Sequence, residues 1–307
     1  MQEAHSNKHP NDFDNEIDLQ ALFYVLLEEK WTIVSVTAFI SIIGVIYSLL
    51  LPNIYESKAL LVSVNSSNGI SGALGSYSGI AGIAGINLSP GGVDAGNSSK
   101  ATEKITSLSF FENNILPNIY LPDLMAVKSW NSKTNTVVFD EKIYDTNSNT
   151  WIIDPSAQES FAVFRKKLSL SEDKTSGFST LSIKHQSPFV AKQWVELVIN
   201  EVNSFYRQKD KSESEKSASY LNQQISMTVL TEIKLVLAQL LQEETKKLTL
   251  IEANQFYVFD YIDPPAVMEK KSDPKRAIIC IISAILGGML SILLVLIRRY
   301  TFSEKTS

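Results

Sequence analysis

The chain has 307 residues, 44% of them apolar and 20% charged, with a formal net charge of −5. The apolar residues are concentrated in two uncharged blocks of 21 residues each, 31–51 and 277–297. As helices of about 31 Å, both blocks match the hydrocarbon thickness of a bilayer. This distribution argues against a simple cytosolic enzyme.

The two blocks are best interpreted as membrane-spanning helices. A signal peptide has a basic start, whereas residues 1–30 carry two basic side chains against seven acidic ones. Buried core helices seldom run this far without a charge. Trp31, Tyr47 and Tyr300 stand near the block ends, as interfacial aromatic residues do. Two spans place both termini on one side and residues 52–276 on the other.

The orientation follows from a weaker signal. Arg298 and Arg299 favour cytoplasmic termini, so residues 52–276 are expected outside the cytoplasm. This segment has 25 acidic and 23 basic side chains, a net charge of −2, and lacks the basic footprint of a nucleic-acid-binding protein. The single cysteine, Cys280, lies in the second block, so the large segment is cysteine-free. This suits an oxidising compartment.

The N-terminal 30 residues are predicted to form a cytoplasmic tail. Residues 1–16 are polar and are expected to be disordered. In 17–30, apolar residues such as Leu19, Leu22 and Phe23 recur at helical spacing. Two interpretations remain for this part, an amphipathic helix on the membrane surface or a plain extension of the first span.

After the first span, residues 55–64 are rich in Leu, Val and Ala with partial alternation and predict a strand. Nine of the thirteen glycines then fall within 69–96. Their spacing of three and four either aligns small residues on one helix face or marks a flexible loop.

The next part of the chain mixes short patterns. Helices are predicted near 100–114 and over 157–167. Strands are predicted over 168–171 and 178–185, joined by a charged loop that ends in glycine.

A long helix is predicted over about 188–256. Pro188 is a favoured first helical residue, and the 75 residues between it and Pro264 contain neither glycine nor proline. Two apolar stripes flank a stretch, 207–219, that is polar on all sides. A continuous helix of 50–60 residues would span roughly 75–90 Å. Its polar middle would project into solvent or pack on neighbouring copies. Residues 257–262 predict a short returning strand.

The sequence offers no catalytic constellation. Gly91 and Gly96 have the spacing of a phosphate-binding loop, but the required lysine is missing. Tyr77 occupies the serine position of a nucleophile-elbow-like motif. The predicted membrane divides the three histidines, so they cannot share a metal ion. We expect no catalytic, cofactor-binding or metal-binding residues.

A set of motifs runs in order along nearly the whole chain. They are Asp18-Leu-x-x-Leu22, Lys30-Trp31, Pro52, Tyr55-Glu-Ser-Lys-Ala59, Lys100-Ala-x-Glu103, Ser187-Pro188, Trp194, Asn203, Tyr257-Val-Phe259, Asp263-Pro264-Pro265 and Ser272-Asp-Pro274-Lys275-Arg276. The last motif leads into a span that holds Gly287-Gly288. Together they resemble the Wzz chain length determinant family, the polysaccharide co-polymerases of Gram-negative bacteria. The proline-rich approach to the second span is the most specific part.

The prolines of the connector, residues 263–276, have a clear physical effect. Proline cannot continue a helix, so the large segment and the second span cannot fuse into one rod. The basic residues of the connector are expected at the lipid headgroups. The glycine pair leaves either a notch for a neighbouring helix or an unpacked spot in the span. The candidate membrane-proximal or partner-binding residues are therefore Pro264, Pro265, Pro274, Lys275, Arg276, Gly287 and Gly288.

The resemblance implies an α+β fold, in which two transmembrane helices flank a periplasmic α/β base with a long extended helix. Residues 298–307 would form a second cytoplasmic tail. It further implies a bacterial inner-membrane protein whose protomers form a ring. With the integral-membrane polymerase, the ring would set the modal length of O-antigen or a related lipid-linked polysaccharide, without enzymatic activity or a cofactor. Membrane lipids and further copies of the chain are the other partners implied.

Two other functions remain open. One is an adaptor for a separate tyrosine kinase in capsule or exopolysaccharide export. The other is a two-span membrane sensor, which would need a cytoplasmic output domain. The short predicted tails argue against that domain.

Overall fold

The computed structural model describes residues 24, 26–64, 96–173, 175–254 and 256–303. The chain divides into two compact units, Met1–Leu51 with Pro274–Ser307, and Pro52–Asp273. The predicted disordered tail, most of the candidate amphipathic helix and the glycine-rich stretch 69–96, apart from Gly96, lie outside the described residues.

Helix α1, Lys30–Leu50, occupies the first predicted span. It begins after Glu29, whose carboxylate accepts a hydrogen bond from Thr32 Oγ1 at 2.7 Å. Its large apolar side chains, Phe39 and Leu50 among them, are mostly exposed. The fold of this chain therefore leaves most of the apolar surface of α1 without a protein partner.

The second unit combines strands and helices, which confirms the predicted α+β class. Its strands are β1 (Tyr55–Ser63), β2 (Val127–Asn131), β3 (Thr136–Phe139), β4 (Tyr144–Asp145), β5 (Thr150–Trp151), β6 (Leu168–Glu172), β7 (Ser179–His185) and β8 (Phe259–Asp263). Its helices are α2 (Gly96–Ile105), α3 (Leu108–Phe110), α4 (Leu121–Met125), α5 (Ala157–Lys167), α6 (Pro188–Met227) and α7 (Thr231–Ala253).

A four-stranded antiparallel sheet with the order β6–β7–β1–β8 forms the centre of this unit. The two central strands pair from Tyr55 opposite His185 to Leu61 opposite Ser179. Alternate residues of β1, among them Ala59 and Leu61, are buried, as the period of two along a strand requires. The sheet with α2 to α5 and the first part of α6 is called the base below.

Helix α6 supplies the largest apolar face to this core. Ser187 caps it by accepting a hydrogen bond from the Val190 N–H, and Pro188 is its first residue. Trp194, Val195 and Val198 are buried at helical spacing within the same cluster as the central strands. The first predicted apolar stripe therefore packs on the sheet.

The single long helix predicted over 188–256 is wrong. The chain leaves the helix after Met227, and Thr228 and Leu230 are extended before α7 begins. Helix α7 then runs back along α6. Two observations show this path: Lys211 pairs with Glu252 at 2.5 Å, and Leu221 and Leu240 line one cleft nearer the turn. Residues 207–253 thus form a helical hairpin, called the arm below.

Two features explain this fold-back. Thr228 donates its hydroxyl and its N–H to Gln224 O, at 2.8 and 3.0 Å, which ends α6. Folding back also pairs the second apolar stripe with α6, so that Ile251 and Ser214 are buried. One side of the polar middle, at Ser214, therefore packs on α7 of the same chain, whereas Lys209, Glu213 and Lys216 face solvent.

Four short strands, β2 to β5, were not predicted. They form two small hairpins whose turns hold Asn135 and Asn149 at positive φ, 51° and 54°. The predicted helix near 100–114 is also divided. After α3 the backbone passes through a π-helical turn, Phe111–Ile115, and a 3₁₀ turn, Leu116–Asn118.

Helix α8, Arg276–Ser303, contains the second predicted span and extends beyond it. It packs along α1, and together the two form the first unit. Both helices are long and apolar enough to cross a membrane, and few residues of either are buried. A soluble protein would bury core helices of this composition.

Candidate membrane and partner interface

The structure divides the seven candidate residues between the two units. Pro264 and Pro265 belong to the second unit, whereas Pro274 and the residues after it belong to the helix pair. They do not form one cluster. Each group therefore makes its contacts within its own unit.

The connector leaves β8 and returns along β1. Between Asp263 and Arg276 it contains no helix, and its one strand-like contact is the bridge between Asp273 and Ile54. Ser57 Oγ donates to Ala266 O at 2.9 Å, which fixes the segment just after the two prolines. The first two prolines thus stand where the chain changes from strand to extended connector, as their missing N–H and fixed φ favour.

The far end of the connector is held by a backbone clasp at Ile54. Ile54 N donates to Asp273 O at 3.0 Å, and Ser272 N donates to Ile54 O at 2.8 Å. Ser272 Oγ also donates to Ile54 O at 3.2 Å. These bonds fix the residue before Pro274 beside the first residues of the sheet.

An ion pair reinforces this clasp. Lys184 Nζ lies 2.7 Å from Asp273 Oδ2, and the two side chains are 44% and 33% exposed. The hydrogen bond to Asp273 raises the pKa of Lys184, with a smaller contribution from the charge of Glu56. Lys184 lies on β7, so the pair ties a central strand to the connector.

Helix α8 starts at the basic end of the connector. Lys275 O accepts the first helical hydrogen bond, from Ile278 N at 2.9 Å, and Pro274 O accepts from Arg276 N at 2.9 Å. Arg276 is the first helical residue. Pro274, Lys275 and Arg276 thus stand at the start of α8, and the apolar residues of the helix follow directly.

Within the helix pair, glycine permits close contact at two places. A Cβ at Gly44 would collide with the side chain of Ser283. A Cβ at Gly287 would lie 3.1 Å from Ile40 Cβ and 3.3 Å from Thr37 O. Small residues allow helix backbones to approach in this way. Gly287 therefore faces α1 of the same chain rather than an open notch.

Gly288 differs from its neighbour. A Cβ built there meets no described atom within 4 Å. The two glycines thus point in different directions, as adjacent residues on a helix do. Only Gly288 still offers the open surface that the sequence suggested for the pair.

Hydroxyl groups line the contact between α1 and α8. Thr37 Oγ1 lies 3.2 Å from Ser291 Oγ, and Ser291 Oγ donates to Gly288 O at 2.8 Å. Ser41 Oγ donates to Thr37 O at 2.8 Å. Interhelical hydroxyl bonds of this kind stabilise helix pairs in apolar surroundings.

Asn203 connects α6 to the strand that precedes the connector. Its Oδ1 accepts from Val258 N and Phe259 N at 2.8 and 2.9 Å, and its Nδ2 donates to Phe259 O at 2.9 Å. The side chain is buried, so all three bonds replace lost hydration. The available sequence signal was an amide between Val202 and Phe205, two apolar residues at helical spacing.

A second buried polar contact was also missed. His185 Nε2 lies 2.8 Å from Asp123 O, and His185 Nδ1 accepts from Ser187 N at 2.9 Å. These partners require a neutral ring protonated on Nε2. Burial lowers the pKa of His185 to about 4, and the charge of Lys167 contributes. Burial raises the pKa of Asp123 to about 6.

Two clefts are present in the part of the chain that the structure describes. One, of about 260 Å³, lies in the arm and is lined by Ser217, Tyr220, Leu221, Leu240, Glu243 and Glu244. The other, of about 190 Å³, is lined by Asn200, Asn203, Ser204, Arg207 and Phe256. Among the described residues, no group of three His, Cys, Asp or Glu side chains is placed to hold a metal ion.

Two family models match the chain. Residues 15–113 match the model described as "Chain length determinant protein", Wzz. Residues 15–113 of this chain therefore form a Wzz chain length determinant domain by sequence. Residues 216–300, which include most of the arm, the connector and most of α8, match a second model described as "G-rich domain on putative tyrosine kinase".

Solved structures of low identity are similar to this chain. One is a "full-length bacterial polysaccharide co-polymerase", 14% identical, with a TM-score of 0.44, covering 94% of this chain and 100% of that one. Another is a fragment of WzzB, a polysaccharide co-polymerase from Salmonella Typhimurium, 12% identical, with a TM-score of 0.35, covering 72% and 100%. No curated protein matched.

Proposed function

We propose that this protein regulates the modal chain length of a bacterial surface polysaccharide, O-antigen or a related glycan, as a non-enzymatic co-polymerase. The observation that carries the proposal is the match of residues 15–113 to the chain length determinant model, on a chain whose apolar helices α1 and α8 bracket the base and arm. In this arrangement the base and arm lie in the periplasm and both termini in the cytoplasm.

The proposed mechanism is a scaffold. Several copies would assemble into a ring around the integral-membrane polymerase, so that extension of the lipid-linked glycan stops within a preferred range. The connector supports this role because its clasp at Ile54 and the pair Lys184–Asp273 fix it on the base as far as the residue before Pro274. Gly288, on the open side of α8, is the proposed contact for a neighbouring membrane helix.

Gene deletion tests the proposal directly. Surface polysaccharide from the deletion strain, separated on a gel, should lose its modal band cluster and regain it when the wild-type gene is restored. An unchanged distribution of chain lengths would contradict the proposal. A reporter fused after Ser212 tests the topology separately, because a periplasmic arm should activate alkaline phosphatase and not a cytoplasmic reporter.

A second candidate is favoured by the match of residues 216–300 to a domain found on putative tyrosine kinases. In this case the protein is an adaptor for a separate kinase in capsule or exopolysaccharide export. Deletion would then lower tyrosine phosphorylation of that kinase and the amount of exported polymer. The band pattern of O-antigen would stay the same.

A further inference from the structure

The two unpredicted hairpins carry a row of aromatic rings that begins at the first residue of the sheet. Tyr55 contacts Trp130 of β2 edge to face, with ring centroids 5.3 Å apart. Trp130 also contacts Phe189 at the start of α6, at 6.3 Å. The β2–β3 hairpin is thereby fixed against the end of the base where β1 begins.

A second group of rings joins strand β3 to the second hairpin. Phe139 lies 5.8 Å from Tyr144, and Tyr144 lies 4.9 Å from Trp151. Tyr144 is buried, and its hydroxyl lies 2.9 Å from that of Tyr120. Aromatic contacts of this number hold Trp151 and the residues after it in place.

The chain then exposes three isoleucines. Ile152 and Ile153, directly after Trp151, are 59% and 81% exposed, and Ile143 is also exposed. Ile152 N donates to Ile143 O at 3.0 Å, so these two residues lie side by side, and Ile153 follows Ile152 directly in the chain. They are called the isoleucine ridge below. A single exposed isoleucine is ordinary, but a clustered set on an ordered hairpin marks a contact surface.

Covalent reach limits where this end of the base can lie. Four residues lie between Leu50, the last residue of α1, and Tyr55, and extended chain covers at most about 18 Å over these five steps. This step rests on the proposed two-span arrangement, in which α1 ends at a bilayer surface. The start of the aromatic row is then within reach of the headgroup layer.

The chemistry of the ridge favours lipid over sugar. Sugar sites combine aromatic faces with free polar groups, but here Asn135 Oδ1 already accepts from Trp130 Nε1, and Asn149 Oδ1 accepts from the Tyr144 hydroxyl. The isoleucines offer no hydrogen bonds. Tryptophan and tyrosine beside exposed aliphatic side chains are the composition of membrane interfaces.

We propose that the isoleucine ridge and Trp151 enter the headgroup–acyl boundary of the bilayer that α1 and α8 span, as a third membrane contact of the chain. The segment 127–156 has three basic and four acidic side chains, so attraction to anionic lipid does not contribute. Apolar burial alone holds the contact.

The test uses the full chain, with Cys280→Ser as background, in phosphatidylcholine nanodiscs. Ile153→Cys carries the environment-sensitive dye NBD, and some lipids carry a nitroxide near the top of the acyl chain. We expect at least a two-fold loss of emission. Val229→Cys is the matched control, since this β-branched residue at the turn of the arm is 91% exposed. It should lose no emission to the lipid nitroxide and much more to aqueous iodide.

Other outcomes overturn the proposal. Equal iodide quenching at both positions would mean that the ridge faces water. Protection from iodide and from the nitroxide together would mean that a second copy covers it. Protection that requires added polysaccharide would mean that a glycan covers it. Quenching that depends on anionic lipid would contradict apolar binding.

Two further measurements keep the result unambiguous. The dye at Ile152→Cys repeats the test at a second exposed position in case one label disturbs the hairpin. Carbonate extraction of the same membranes reports on the spans. If the protein stays in the membrane and neither label is quenched by lipid, the ridge proposal fails while the two-span proposal stands.

Discussion

Lys184 Nζ lies 2.7 Å from Asp273 Oδ2, and this pair joins a central strand of the base to the last connector residue before Pro274. Both side chains are partly exposed, so the attraction is weakened by water and ions. The pair therefore positions the connector more than it stabilises the fold. We therefore expect loss of the pair to alter the position of the connector while changing the free energy of unfolding only a little.

A double-mutant cycle tests this relationship. Lys184→Gln and Asp273→Asn should show a coupling of about 0.2–1 kcal/mol in the free energy of unfolding. In 1 M salt the coupling should shrink. Hydrogen exchange at Ser272 should rise several-fold in either variant. Additive effects at low salt would contradict the pairing.

Gly44 and Gly288 offer a matched comparison in the helix pair. Gly44→Leu should force α1 and α8 apart, because even a Cβ there collides with Ser283, whereas Gly288→Leu enters open space. The measurement is disulfide formation in the variant Thr37→Cys/Ser291→Cys, with Cys280→Ser as background. In the native chain the hydroxyls of Thr37 and Ser291 lie 3.2 Å apart.

The yield of this crosslink should fall several-fold with Gly44→Leu and stay the same with Gly288→Leu. A loss with Gly288→Leu alone would contradict the assigned faces. If Gly288→Leu keeps the crosslink but changes polysaccharide length, the open side of α8 is the partner contact.

Asn203→Leu should destabilise the base by at least about 2 kcal/mol, because it leaves two buried N–H groups and one carbonyl of Val258 and Phe259 without partners. Asn200→Leu, about one turn earlier and exposed, should change stability by less than about 0.5 kcal/mol. Urea unfolding in detergent measures both. Similar values would show that the three bonds are not what holds β8 to α6.

His185 gives the base a defined dependence on pH. Its pKa falls from 6.5 to about 4 on folding, so the unfolded chain binds more protons between these values. Stability from the neutral ring is therefore complete above pH 6.5 and is lost as the pH falls toward 4. The gap in melting temperature between wild type and His185→Gln should be large at pH 7.5 and smaller at pH 4.5. A constant gap would contradict the neutral ring.

Asp123 should act in the opposite direction. Its pKa rises from 3.8 to about 6, so the folded chain binds the extra proton and burial of the charged form costs stability above pH 6. Asp123→Asn should be more stable than wild type at pH 7.5. That advantage should vanish as the pH falls from 6 to 3.8, which thermal melts at several pH values would follow.

Long, uniform patterns predicted most of the architecture. The two uncharged blocks, the capped helix α5 and the strand β7 are all where the local pattern places them, since each depends on neighbours in sequence. The start of α6 followed from Ser187 and Pro188 for the same reason. Such elements carry their own boundary signals.

The turn of the arm and the small hairpins were missed for a different reason. Thr228 and Val229 carry no glycine or proline signal, and the break is stable because α7 then packs on α6, a contact distant in sequence. The β2–β5 hairpins have strands of two to five residues, too short for a periodic pattern. Their turns at Asn135 and Asn149 were the available signal.

The candidate site was predictable only in part. The prolines do separate β8 from α8, but the clasp at Ile54 joins residues more than 200 positions apart, which no local motif encodes. Likewise, Gly287 and Gly288 look equivalent in sequence, and only the position of α1 distinguishes them.

Because the chain turns back at residues 228–230, the length of the arm can change without any change in the base. Because α6 and α7 run side by side, seven residues added to each would lift the tip by about 10 Å and leave every contact of the base unchanged. Matched insertions could therefore produce taller or shorter relatives in steps of two helical turns. Unmatched insertions would shift the two apolar stripes out of register and open the seam between the helices.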